Sequence, residues 1–161
     1  MQKKFNITGT CIPERHYMVD ISGKLDQIMK LVDDGEYFTI NRPRQYGKTT
    51  TLFFLRNALK KMTGYLVSSL SFEGIGDTVF SDEHTLSPFV LKKIGDGFYD
   101  ETMKEYCQNA SLKVTNLETL SSEITRLITK FNKKVVLMID EVDKSSNNQL
   151  FLSFIGMLRN K

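Results

Sequence analysis

The chain has 161 residues, 40% of them hydrophobic and 25% charged, the balance of one ordinary globular domain and not of a disordered, collagen-like or low-complexity chain. Twenty-two basic against nineteen acidic side chains leave a formal charge of +3, too weak by itself to argue for nucleic acid or an acidic membrane surface. No apolar run approaches the roughly 18 residues of a membrane helix, and no apolar stretch follows the charged start Met1–Asn6, so neither a span nor a secretory signal is expected.

The first twenty residues read as irregular, with Gly9, Pro13 and turn-prone Asn6 and Thr8. From Ile21, the positions Leu25, Ile28, Met29, Leu31 and Val32 recur at helical spacing, and Asp33-Asp34-Gly35 supplies a stop. Tyr37-Phe38-Thr39-Ile40 predicts a short strand near 37–41. A second helix follows on the Leu52, Leu55 and Leu59 stripe and closes near Gly64. Tyr65–Phe72 reads as another strand, and the polar stretch from Glu73 to Pro88 as a loop. Pro88 suits the first turn of a third helix, with Ser87 as its cap and Gly95 near its end.

The stretch from Phe98 to Val114 is expected to be helical in part, around Met103, Tyr106 and Cys107. An amphipathic helix then starts at Leu117 and carries Leu120, Ile124, Leu127, Ile128 and Phe131 on one face. Val135-Val136-Leu137-Met138-Ile139 is a continuous apolar run of strand length, the pattern of a parallel strand covered on both faces. A last helix holds Leu150, Phe151, Phe154, Ile155 and Leu158. Strands alternating with helices predict an α/β fold with a parallel sheet, and no repeat or linker divides residues 1–161.

Two constellations carry chemistry. The first is Arg42-Pro43-Arg44-Gln45-Tyr46-Gly47-Lys48-Thr49-Thr50, between a predicted strand and a predicted helix. A helix start offers unpaired N–H groups and positive dipole to an anion, so this is where a phosphate loop belongs. Gly47 lets the backbone turn close to phosphate oxygens, Lys48 brings an ammonium to the β- and γ-phosphates, and Thr49 offers a hydroxyl to magnesium. Arg42 stands where the full phosphate-loop pattern has its first glycine. The second is the 135–139 strand with Asp140-Glu141 at its carboxyl end, the edge at which open α/β sheets bind ligands. Asp140 suits the magnesium shell and Glu141 suits a general base for water. Ser71 and Glu73 end the preceding strand near the same edge and are candidates to position Glu141 or water. Asp143 reads as a loop charge. Cys11, Cys107, His16 and His84 form no metal or disulfide spacing and read as packing or surface residues.

Phosphate loop plus apolar strand ending in Asp-Glu resembles the P-loop ATPases with an additional catalytic glutamate. More narrowly, Thr8–Pro13, Tyr17–Asp20, Asp33–Phe38, Arg42–Thr50 and Leu70–Gly74 resemble the bacterial AAA-ATPase-like domain family across essentially the whole chain. That resemblance implies a three-layer sheet flanked by helices, with strand order 5-1-4-3-2, of which strands near 37–41, 65–72 and 134–139 are counted here. It also implies that the chain is the N-terminal part of a longer domain, with the fourth strand, sensor residue and arginine finger beyond Lys161 or in a neighbouring subunit. Relatives commonly continue into a PD-(D/E)XK nuclease-like domain, an indirect link to nucleic acid.

The resulting expectation is a cytoplasmic ATP- and magnesium-binding module whose complete domain hydrolyses ATP and which self-associates. Arg44, Gln45, Tyr46, Gly47, Lys48, Thr49 and Thr50 bind the nucleotide, Thr49 and Asp140 the metal, and Lys48 and Glu141 are catalytic. The rivals are a regulatory binder without turnover and a nucleic-acid or protein interaction scaffold.

Overall fold

The computed structural model describes residues 2–7, 9–41, 46–142 and 148–160. It forms two compact units, residues 1–63 and 64–161.

In the first unit, α1 (Ser22–Asp33) buries Ile28 and Val32, one turn apart on a single face. It stops where the sequence supplies Gly35 with φ +73°. The N–H groups of Gly35 and Glu36 turn back onto the carbonyls of Val32 and Leu31, which satisfies acceptors that the helix end would otherwise leave open. Helix α2 (Lys48–Lys60) packs on α1 and buries Thr50, Thr51, Leu55 and Leu59. The N-terminal segment is irregular, held by a parallel bridge between Lys4 and His16 and by the Ile12 N–H donating to His16 Nδ1 at 2.9 Å.

The strand predicted near 37–41 does not form. Residues 36–41 have no regular secondary structure, and Tyr37 stays 48% exposed. A strand exists only as part of a ladder, and among the described residues no segment pairs with this one. β-propensity without a partner leaves an extended chain, so the expected count of three core strands becomes two.

The second unit is α/β. Strand β1 (Tyr65–Ser71) lies parallel to β2 (Lys134–Asp140), in a register that runs from Tyr65 opposite Lys134 to Ser71 opposite Asp140. The crossover between them contains a 3₁₀ turn (Asp77–Phe80), then α3 (Glu83–Gly97), α4 (Glu101–Ser111) and α5 (Leu117–Phe131). Helix α6 (Gln149–Arg159) follows β2. Leu66 and Leu70 of β1 join Leu86, Val90, Leu91 and Ile94 of α3, Leu120, Ile124 and Leu127 of α5, and Phe151 and Phe154 of α6 in one core. Fully burying such side chains is worth about 1.5–3 kcal/mol each, so this core is the main source of stability.

Helix α3 begins before the predicted start. Its cap is Asp82, not Ser87, with the Asp82 carboxylate accepting the Thr85 N–H at 2.8 Å. Pro88 therefore falls in the second turn, and the polar stretch after Glu73 contains helix as well as loop. Helix α5 has the expected boundaries because Asn116 and Thr119 form a reciprocal capping box.

The ladder bonds fix which backbone groups face outward. Lys134 N–H bonds the Gly64 carbonyl and Phe72 N–H bonds the Asp140 carbonyl. Even-numbered residues of both strands thus turn their N–H and C=O groups toward each other, and odd-numbered residues turn theirs away. On β1 the outward backbone of Ser69 is covered by Gly97, where an added Cβ would lie 2.7 Å from both Ser69 N and O.

Candidate phosphate-binding helix and carboxylate edge

Gly47 is the N-cap of α2, in the left-handed region at φ +76° and ψ +22°. Glycine reaches that conformation without strain, whereas a Cβ costs about 1 kcal/mol or more. It lets the chain reverse directly into Lys48, the first helical residue. The Gly47 carbonyl accepts both the Thr51 N–H at 2.8 Å and the Thr51 hydroxyl at 2.9 Å. As a glycine, the N-cap residue has no side chain to cap the helix start. The N-cap position is therefore not a Ser, Asp or Asn, the usual residues at a helix N-terminus, and the positive end of the dipole lies at Gly47-Lys48.

Around that turn, Tyr46 is 68% exposed, Lys48 is half-buried and Thr49 is exposed. Thr50 lies one residue further into the helix. Its side chain is buried, and its hydroxyl accepts the Cys11 N–H at 3.1 Å. Cys11 reads by type as a packing or surface residue, yet its backbone ties the N-terminal segment to the first turn of α2. Nothing in a residue's type announces a backbone donor, so no sequence signal was there to find. Arg42, Arg44 and Gln45 lie outside the described residues.

In the second unit the sheet gathers the other predicted residues at one end. Asp140 is the last residue of β2 and stands in register with Ser71, the last of β1. The Asp140 carboxylate accepts the N–H of Glu141 at 2.9 Å. Glu141 itself turns out of the strand with φ +56°, an uncommon conformation for a residue with a long side chain. Ser71 Oγ accepts the Glu73 N–H at 3.2 Å, and Gly74 completes the turn at φ +71°. The carboxyl end of the sheet thus carries Ser71 and Asp140 in register, with Glu73 and Glu141 in the turns that follow them. Asp143 lies outside the described residues. Gly47, Lys48, Thr49 and Thr50 belong to the first unit and the carboxylates to the second.

The remaining titratable groups with distinct environments are elsewhere. Burial pushes the Cys107 thiol up to about 12, with the nearby Asp96 charge adding to the effect. Burial also raises the Tyr106 phenol, helped by the Glu123 carboxylate that its hydroxyl meets at 3.3 Å. Comparison of the chain with protein-family models, with curated proteins and with solved structures finds no match.

Proposed function

We propose that the chain is an ATP-binding module of the P-loop type, with hydrolysis a property of the complete domain. The observation that carries this reading is the start of α2, where a left-handed glycine without a side-chain cap leads directly into Lys48-Thr49. Amides and dipole there favour an anion. Lys48 supplies the compact positive charge that balances β- and γ-phosphate oxygens. Adjacency of the 65–71 and 134–140 strands, parallel and in this order, agrees with the strand order that the sequence resemblance implies.

The donors present suit magnesium, a hard cation that takes oxygen ligands. Each unit offers an oxygen of that kind, a Thr49 hydroxyl in the first and an Asp140 carboxylate in the second. Among the described residues no group of three or more His, Cys, Asp or Glu gathers as a protein-only cage, so the ion's shell would be completed by phosphate oxygens and water, as magnesium prefers. Glu141 has the chemistry to take a proton from an attacking water, and catalysis of this kind is mainly positional and electrostatic.

The experiment is thermal unfolding with and without magnesium-ATP. A ligand at about 100 times its dissociation constant adds about 2.7 kcal/mol of stability. Lys48→Ala should abolish that shift while leaving the circular dichroism spectrum unchanged. No shift in the wild type would favour the interaction-scaffold reading. An equal shift in the variant would remove the α2 start from the proposal.

A further inference from the structure

We propose that the exposed ring pair Phe5–Tyr17, with Lys3, Lys4 and Arg15 beside it, is a binding platform for single-stranded nucleic acid. The sequence holds no continuous basic-aromatic run, but the fold assembles one from two short segments. Lys3-Lys4-Phe5 and Arg15-His16-Tyr17 meet at the parallel bridge between Lys4 and His16. The Lys4 N–H donates to the Arg15 carbonyl at 2.9 Å, and the Tyr17 N–H donates to the Lys4 carbonyl at 3.0 Å. Phe5 and Tyr17 thereby come side by side, with ring centroids 5.0 Å apart and planes tilted by 37°.

Exposure and charge select the occupant. Phe5 is 83% exposed and Tyr17 52%, so the pair buries little apolar area and core packing does not account for it. Lys3, Lys4 and Arg15 are exposed too. Residues 2–17 hold these three cations against one carboxylate, Glu14. The next carboxylate, Asp20, accepts the Ser22 N–H at 2.9 Å where α1 begins. An apolar protein partner covering the rings would strip water from the cations without offering a counter-charge. A single strand offers both complements, phosphates for the cations and open base faces for the rings. A duplex keeps its bases stacked on one another and has no such face to give. Every base has a π-face, so the platform selects strandedness and not sequence. It shares no residue with the start of α2 or with the carboxyl end of the sheet.

The test is fluorescence anisotropy of labelled single strands of about 20 nucleotides, DNA and RNA of mixed sequence, beside a duplex of the same length. The full chain should bind either single strand more tightly than the duplex, and affinity should fall as salt rises. Phe5→Ala/Tyr17→Ala should lose about tenfold in affinity and keep the salt dependence. Lys3→Gln/Lys4→Gln should bind more weakly and with a shallower salt dependence. All four side chains are exposed, so circular dichroism should show both variants folded. Lys92→Gln/Lys93→Gln, two exposed residues of α3, should bind like the wild type. Absence of binding would overturn the proposal. So would equal affinity for the duplex, or an equal loss in the Lys92 and Lys93 variant, either of which marks unspecific charge attraction. Full affinity in the ring variant would overturn it as well. Displacement of the strand by magnesium-ATP would do the same, because the ring pair would then belong to a mononucleotide site.

Discussion

Gly97 and Ser68 are in backbone-to-side-chain contact so close that a Cβ on Gly97 would lie 2.2 Å from Ser68 Oγ. That hydroxyl is fully buried and donates to the Ile94 carbonyl at 2.7 Å, so the last turn of α3 sits directly on β1. Gly97→Ala should therefore destabilise the chain. Alanine gains up to about 1 kcal/mol of helix propensity over glycine, but overpacking a fitted contact costs about 1–3 kcal/mol. Adding Ser68→Ala should restore little, because Ser69 N and O would still lie 2.7 Å from the new Cβ. Chemical denaturation of the two variants measures this, and a Gly97→Ala chain as stable as the wild type would contradict it.

Cys107 should be inert in the folded chain and Cys11 reactive. Cys107 is fully buried, whereas Cys11 is half-buried, and only the thiolate is an effective nucleophile. The Cys107 thiol ionises at about 12 when folded against an ordinary value of 9.0. Its raised value means that the folded state prefers the neutral thiol. The associated stability is complete below pH 9.0 and is lost as pH rises through the window up to about 12. Titration with a thiol reagent at neutral pH should count one fast thiol, and both after denaturation. Two fast thiols in the native chain would show that the α3–α4 contact opens readily.

The cap of α3 should weaken in acid. The Thr85 N–H holds the Asp82 carboxyl below its ordinary value of 3.8, with the Ser81 hydroxyl assisting. A lowered folded value means that the carboxylate form stabilises the fold. That contribution is present above pH 3.8 and is lost as pH falls through the lower folded value. Asp82→Asn keeps an oxygen acceptor at the cap without the titration. Between neutral pH and pH 3 its stability should fall less than that of the wild type, as read from denaturation midpoints. Parallel pH curves for the two would place the acid sensitivity elsewhere.

Much of the second unit was legible because its signals are local. The α5 stripe from Leu117 to Phe131 is bounded by Asn116, and the 135–139 run has the length and composition of a strand, although its expected cover on both faces is incomplete: only Met138 of the run is buried. The misreadings occurred where a local signal competes with something non-local. Pro88 resembles a helix start, but Asp82 lies six residues earlier with the Thr85 N–H in reach, and the cap together with complete burial of Leu86 in the added turn offsets the bond that Pro88 cannot make. Tyr37–Ile40 has strand-forming side chains, yet a strand depends on residues distant in sequence. The same holds at the candidate site. The turn at Gly47 and the placement of Ser71 and Asp140 at one end of the sheet follow from pattern, while their register and the Cys11–Thr50 bond, between residues 39 apart, do not.

Glu141 should show a conflict between stability and activity. Its φ of +56° is a conformation that costs an L-residue about 1 kcal/mol relative to glycine, and such strain concentrates at functional positions. The comparison that isolates the backbone is Glu141→Gly against Glu141→Ala. Both lose the carboxylate, but only glycine relieves the strain. Greater freedom of glycine in the unfolded chain offsets part of the gain, so the glycine variant should exceed the alanine variant by up to about 1 kcal/mol. Glu141→Gln keeps both the side-chain size and the strain. Under the proposed function it should retain nucleotide binding and lose any hydrolysis, because only the proton acceptor is gone. The measurements are denaturation midpoints for the set and phosphate release for the glutamine variant. If glycine and alanine are equally stable, the left-handed turn at Glu141 is not a strain the fold maintains. If the glutamine variant turns over at the wild-type rate, the base is another carboxylate at this edge, and Glu73, whose N–H bonds Ser71 Oγ opposite Asp140, is the next to replace.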